Sequence, residues 1–176
     1  RLQRVEARLR QIEREGQMPV HEVVLREVAA QDVLAYREIV PGPREIPLLI
    51  MQVVEAAQAC GVQPVGPCLA LYYHGEYREH DLDIEVAIPV ADAAPTAVPL
   101  DGKGMLQRRT LPAAQVASTL CRMESQADIY AANHDLGNWI VENGYRLADG
   151  PSREVYVQAA CEGQPPTFEV QLPVEV

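Results

Sequence analysis

The chain has 176 residues, 48% of them apolar and 23% charged. That is room for one ordinary domain, alone or with a short appendage, but not for two full cores, and it excludes disordered, collagen-like and membrane classes. No apolar run approaches a bilayer span and the first residues are rich in Arg and Glu, so the expectation is a protein with no membrane contact and a cytoplasmic location. Residues 1–18 hold five Arg and three Glu, and residues 19–176 carry ten basic against 22 acidic side chains, a net charge of −12. So negative a surface repels a phosphate backbone and attracts organic cations. The four cysteines, Cys60, Cys68, Cys121 and Cys161, show no C-x-x-C spacing. Four free thiols are expected, with no zinc knuckle and no redox motif. The chain opens on Arg1 rather than Met, which suggests a fragment.

In chain order, Leu2, Val5, Leu9 and Ile12 form an a/d seam of barely two heptads that ends at Gly16 and Pro19. It reads either as an amphipathic helix lying on its own domain or as the stump of a longer coiled coil. Strands are predicted at 21–28 and 33–39. Pro47 near a first helical turn, then Ile46, Leu49, Ile50, Val53, Val54 and Ala57, trace a helical stripe over about 45–60, ending at Gly61. Strands follow at 68–73, 82–89, 104–111 and 115–122. Ser125-x-x-Asp128 is a capping-box variant, and Ile129, Ala132, Leu136, Trp139 and Ile140 share one face of a second helix up to Gly144. Strands at 153–158 and 167–173 close the chain.

The sequence repeats itself. Gly66-Pro67 through Tyr73 lines up with Gly150-Pro151 through Val157, and Ile84-Glu85-Val86 through Val90 with Phe168-Glu169-Val170 through Val174, both at an offset of 84. Val28-Ala29-Ala30 through Val33 matches Leu111-Pro112-Ala113 through Val116, and Cys60-Gly61-Val62 matches Asn143-Gly144-Tyr145, at an offset of 83. Each copy reads as two strands, a helix and two strands.

Taken together, Pro67 through His74, Asp83-Ile84-Glu85-Val86, Pro89-Val90, Leu111-Pro112-Ala113, Trp139-Ile140, Asn143-Gly144-Tyr145, Gly150-Pro151, Arg153-Glu154-x-Tyr156, Glu169 and Pro173-Val174 resemble the GyrI-like effector-binding domain. This is the ligand-sensing module of multidrug-responsive MerR-type regulators, and the resemblance covers residues 19–176. It implies an α+β fold of two ββαββ-type repeats in pseudo-twofold symmetry, with a curved antiparallel sheet, two helices and a central ligand cleft. Residues 1–18 then resemble the end of the coiled-coil linker helix of those regulators. DNA would be reached only through an N-terminal domain absent from this chain, and a homodimer through the N-terminal helix is the expectation for the full-length protein. One departure is that Cys121-Arg122-Met123-Glu124-Ser125 stands where many members carry a small turn with His and Gly, which puts the groove shape near Met123 in question.

Strand alternation places Ser152, Glu154 and Tyr156 on one face with Cys68, Ala70 and Tyr72, and the Leu/Val face is expected under the helices. A carboxylate among aromatic rings is costly to desolvate, and an organic cation removes that cost. The family's cation-sensing Glu maps onto Glu154, with its Tyr at 156. Tyr72, Tyr145, Trp139 and Tyr36 could offer ring faces, and Met123 borders the groove. The alternatives are a salt bridge or tyrosine hydrogen bond holding Glu154, and core packing for Trp139 and Tyr36. The loop Tyr73-His74-Gly75-Glu76 through Asp83 has no zinc spacing and reads as a solvated turn; no metal and no cofactor are expected. No catalytic motif is present. The enzymatic alternative is the opening of electrophilic cyclopropanes, which some GyrI-like proteins perform, with Glu154 as general base. A third class is a standalone protein that inhibits a partner by surface contact.

Overall fold

A computed structural model of the chain describes residues 21–74, 78–158 and 164–176, so the predicted helix at 1–18 and Cys161 lie outside the described residues. Ten strands and two helices follow in the order β1 (Val24–Val28), β2 (Gln31–Val40), α1 (Ile46–Ala59), β3 (Leu69–Tyr72), β4 (Leu82–Pro89), β5 (Ala97–Leu100), β6 (Gly104–Leu111), β7 (Ala114–Arg122), α2 (Gln126–Glu142), β8 (Arg146–Leu147), β9 (Ser152–Gln158) and β10 (Thr167–Glu175). The fold is α+β, as expected. The short strands β5 and β8 were not foreseen.

The strands form one antiparallel sheet in the order β1-β7-β10-β9-β3-β4-β2-β6-β5, with β8 beside β10. The offsets of 83 and 84 reappear in it. β3 and β9 meet at the centre, flanked by β4 and β10, then β2 and β7, then β6 and β1. The opening strand of each copy pairs with the other copy: β1 with β7, and β6 with β2. Val28 faces Ala114 and Gln31 faces Leu111, so one register runs through both ladders across Ala29-Ala30 and Pro112-Ala113. In a flat sheet β1 and β2 would lie six strand spacings apart, roughly 29 Å. Only two residues join them, a reach of at most about 11 Å. The sheet therefore has to curl.

Curling buries both faces of the central strands. On one face α1 lays Leu49, Val53 and Ala57 on Ile84, Val86 and Ile88, and α2 lays Ile129, Ala132, Leu136 and Ile140 on Phe168, Val170 and Val174. On the other, Leu69, Leu71 and Ala87 pack with Val33, Ala35, Leu111 and Val155. The expected orientation is thus reversed. The Leu/Val face of β3 and β9 turns away from the helices, and Cys68, Tyr72 and Tyr156 pack on the helix side. Alternation in the sequence cannot distinguish two apolar surroundings.

The helix ends follow their local chemistry. Pro47 sits in the first turn of α1, where its missing N–H costs nothing, and Gly61 leaves the helix at φ 72°. The Asp128 carboxylate accepts the backbone N–H groups of Ser125 at 2.7 Å and Glu124 at 2.9 Å, which holds its pKa below the usual range.

On the face away from the helices two glutamates are held by arginines, whereas the buried Arg153 forms no ion pair among the described residues and donates to the Pro112 carbonyl at 3.3 Å. Arg109 grips Glu85 through Nε at 2.7 Å and Nη2 at 2.5 Å, and Tyr73 donates its hydroxyl to the same carboxylate. Arg26 reaches Glu169 at 2.6 Å at the symmetry-related positions. At the chain's entry, His21 bonds Asp135 of α2 at 2.8 Å, the two side chains 11% and 16% exposed.

Leu71 is fully buried between the strands of the third cluster. Leu71→Ala is expected to lower stability by about 3 kcal/mol in denaturant unfolding. A loss below about 1 kcal/mol would show that the face away from the helices is not a packed core.

Candidate functional site

β3 and β9 pair so that Ala70 stands directly opposite Glu154, and these two residues are equivalent under the repeat. The pseudo-axis passes between them. A methyl group on one side leaves room for a carboxyl on the other, so the duplicated strand carries one acid at the centre.

Glu154 accepts a hydrogen bond from the Tyr72 hydroxyl at 2.7 Å. Among the described residues it has no ion pair with Arg, Lys or His, whereas Glu85 and Glu169 each have an arginine. Burial pushes the Glu154 pKa up to about 7, with the Tyr72 bond opposing the shift. Burial, then the Glu154 charge, raises Tyr72 well above the usual phenol range; Tyr156 shifts the same way, for the same leading causes. Burial also lifts the neighbouring Cys68 thiol to about 12, so it stays protonated and unreactive. The tyrosine bond foreseen as an alternative is present. It orients the carboxyl without neutralising it.

Glu154 and Tyr72 border a cavity of about 700 Å³ on the helix side of the sheet. That is the size of a pocket for a drug-like molecule. Ile46 of α1, Ile129 of α2, and Val170 and Leu172 of β10 supply apolar wall. Asn133 and Gly137 of α2 complete that helix's side, and the turn Leu147–Gly150 closes another. His74 and Arg78, from the loop read as a solvated turn, line it too.

The other expected contacts lie elsewhere. Tyr156 adjoins Glu154 in charge but packs edge-on against Phe168, with ring centroids 4.6 Å apart. Trp139 stacks on Tyr145 at 5.7 Å, and both join Met123 against the second core cluster. Tyr36 packs against the first cluster and donates its hydroxyl to the Lys103 carbonyl at 3.3 Å. None of these five residues lines this cavity. The α2 contribution went unread because Asn133 and Gly137 are ordinary on a helix surface. A mid-helix glycine next to a gap was the available signal: a methyl group built on Gly137 would meet nothing within 4 Å.

Among the described residues no group of three His, Cys, Asp or Glu converges as a metal site. Cys60, Cys68 and Cys121 are free thiols. None of the described helices is long and apolar enough to cross a membrane.

The raised Glu154 pKa has a consequence for stability. Below pH 4.5 the carboxyl is protonated in both folded and unfolded chains and contributes nothing. As pH rises from there to about 7 only the unfolded chain ionises, so the fold loses up to about 3 kcal/mol, and the loss is constant above. Glu154→Gln is therefore expected to raise the melting temperature at pH 8 and leave it nearly unchanged at pH 4. An equal shift at both values would mean that Glu154 is not buried in its ionised form's disfavour.

The comparisons agree with this fold. The cryo-EM structure of an EcmrR–DNA complex superposes with a TM-score of 0.82 at 22% identity, covering 99% of this chain and 64% of that one, so this chain spans less than two thirds of EcmrR. The crystal structure of the EcmrR C-terminal domain gives 0.76 at 23% identity, covering 89% of this chain and 98% of that one. SAV2435 bound to tetraphenylphosphonium gives 0.57 at 12%, covering 88% and 94%. At these identities the likeness is one of fold. No curated protein matches the chain. The family profile of the GyrI-like small molecule binding domain, in contrast, matches residues 21–175, nearly everything the structure describes. The chain belongs to the GyrI-like family of small-molecule-binding domains.

Proposed function

We propose that this domain is the effector-binding part of a MerR-type transcriptional regulator and that it takes hydrophobic organic cations into the Glu154 cavity. One observation carries the reading: a carboxyl at the centre of the sheet, beside a cavity of about 700 Å³, with no cationic partner among the described residues. A lipophilic cation supplies the missing charge, and the Tyr72 ring and the apolar wall supply contact without directional demands. SAV2435, of similar fold, is a protein described with tetraphenylphosphonium, which is such a cation. EcmrR, of similar fold, is described in a DNA complex, which supports DNA action through a region outside this chain. A ligand would act on such a regulator by binding one arrangement more tightly than another.

A second reading draws on the same carboxyl. With a pKa near 7, Glu154 suits a general base that activates water against an electrophilic cyclopropane. Ala70 opposite leaves that base without a central second carboxyl, which favours binding over hydrolysis. Chromatographic detection of a ring-opened product, absent with Glu154→Gln, would establish turnover.

Glu154→Gln is expected to weaken a permanent cation such as tetraphenylphosphonium by about tenfold or more in calorimetry at pH 8. The wild-type affinity is expected to rise from pH 6 to pH 8, because the cation binds the ionised carboxylate that protonation removes. Equal affinity of the two proteins at pH 8 would remove Glu154 from recognition. Gly137→Leu, which projects bulk from α2 at the cavity wall, is expected to abolish binding with the fold retained.

A further inference from the structure

The two halves of the repeat differ in polarity at one buried patch on the face away from the helices. In the first copy Leu69, Ala87 and Ala35 belong to the apolar core there. The equivalent positions of the second copy, at the same offsets of 84 and 83, are Arg153, Gln171 and Ser118, which are 5%, 4% and 2% exposed. The ladders of β9, β10 and β7 set Arg153 opposite Gln171 and Gln171 opposite Ser118 in one row. Ser118 is satisfied, since its hydroxyl donates to Glu169 at 2.5 Å. The other two are not. Arg153 Nε–H and Gln171 Oε1 are buried without a hydrogen-bond partner, and among the described residues the guanidinium has only the Pro112 carbonyl, at 3.3 Å.

A guanidinium stays charged in a folded protein, and burying it unpaired is costly. The acids nearby are engaged elsewhere. Glu85 is held by Arg109 and Tyr73, Glu169 by Arg26 and Ser118, and Glu154 lies on the opposite face, bonded to Tyr72. After burial, the groups that bear on the Arg153 charge are Tyr73 and the second guanidinium, Arg109; no carboxylate is among them. Arg153 and Tyr73 also line the cavity of about 700 Å³, which gives a small solute a way in. We propose that this patch is a binding site for a small oxyanion that retains a proton, of the hydrogencarbonate class. One oxygen accepts the Arg153 Nε–H, the hydroxyl donates to Gln171 Oε1, and the negative charge offsets the guanidinium. Water makes both hydrogen bonds but brings no charge, and chloride brings the charge but no donor for Oε1.

Thermal melting at pH 8 in sodium hydrogencarbonate, read against sodium chloride at equal ionic strength, tests the site. At about 50 mM anion the wild type is expected to melt about 3 °C higher in hydrogencarbonate. Arg153→Leu, which copies the twin position Leu69, is expected to abolish that difference, and Gln171→Ala, which copies Ala87, to reduce it by about half or more. Equal melting of the wild type in the two salts overturns the proposal, since water or chloride then serves as well. A difference that survives Arg153→Leu overturns it too, because it reports a general salt effect on the fold. Should Arg153→Leu fail to fold, Gln171→Ala decides, and an undiminished difference there overturns the proposal. Each of these results leaves the Glu154 reading untouched, since Glu154 lies on the other face of the strand and its cation affinity is measured separately.

Discussion

The antiparallel ladder between β3 and β9 is the constraint on which the rest of the molecule depends. It joins the two copies of the repeat, and its register sets Ala70 against Glu154 at the pseudo-axis. A shift of one residue would send Glu154 to the other face, among Leu69, Leu71 and Val155. The ladder thus determines at once how the halves join, which side the cavity lies on and what charge it contains.

Duplication followed by divergence explains why the centre is chemically lopsided. The two halves keep equivalent Arg–Glu pairs, Arg109 with Glu85 and Arg26 with Glu169, at positions that brace strands across the copies. Where the halves part company is at the axis. One copy carries a methyl group and the other a carboxyl, and the tyrosine bound to that carboxyl comes from the copy that lacks it. Each half therefore supplies what its twin does not, and the site exists only in the joined molecule.

Much of this was legible before any coordinates, because repeat spacing and helix punctuation are local properties. The offset of 84 placed β3 and β9 in equivalence, Pro47 and Gly61 bracketed α1, and Asp128 marked the start of α2. Glu154 stood out as an acid within an apolar strand. The facing of that strand was not legible, since curling gives β3 and β9 an apolar neighbour on each side. Aromatic residues misled for a related reason: Trp139 and Tyr145 satisfy each other by stacking, and a sequence does not reveal which rings are already occupied. β5 escaped notice because its four residues include Pro99, tolerable only at the sheet's edge where it lies.

The contact between His21 and Asp135 links two things that lie far apart in the chain. Asp135 belongs to α2, and other side chains of that same helix, Ile129 and Asn133 among them, border the cavity. A helix of 17 residues behaves as a stiff rod, so tilting it on one flank carries the opposite flank along. A tilt of α2 would therefore bear on the imidazole–carboxylate clasp at His21, beside which the Thr119 hydroxyl holds the Glu22 carbonyl at 2.6 Å.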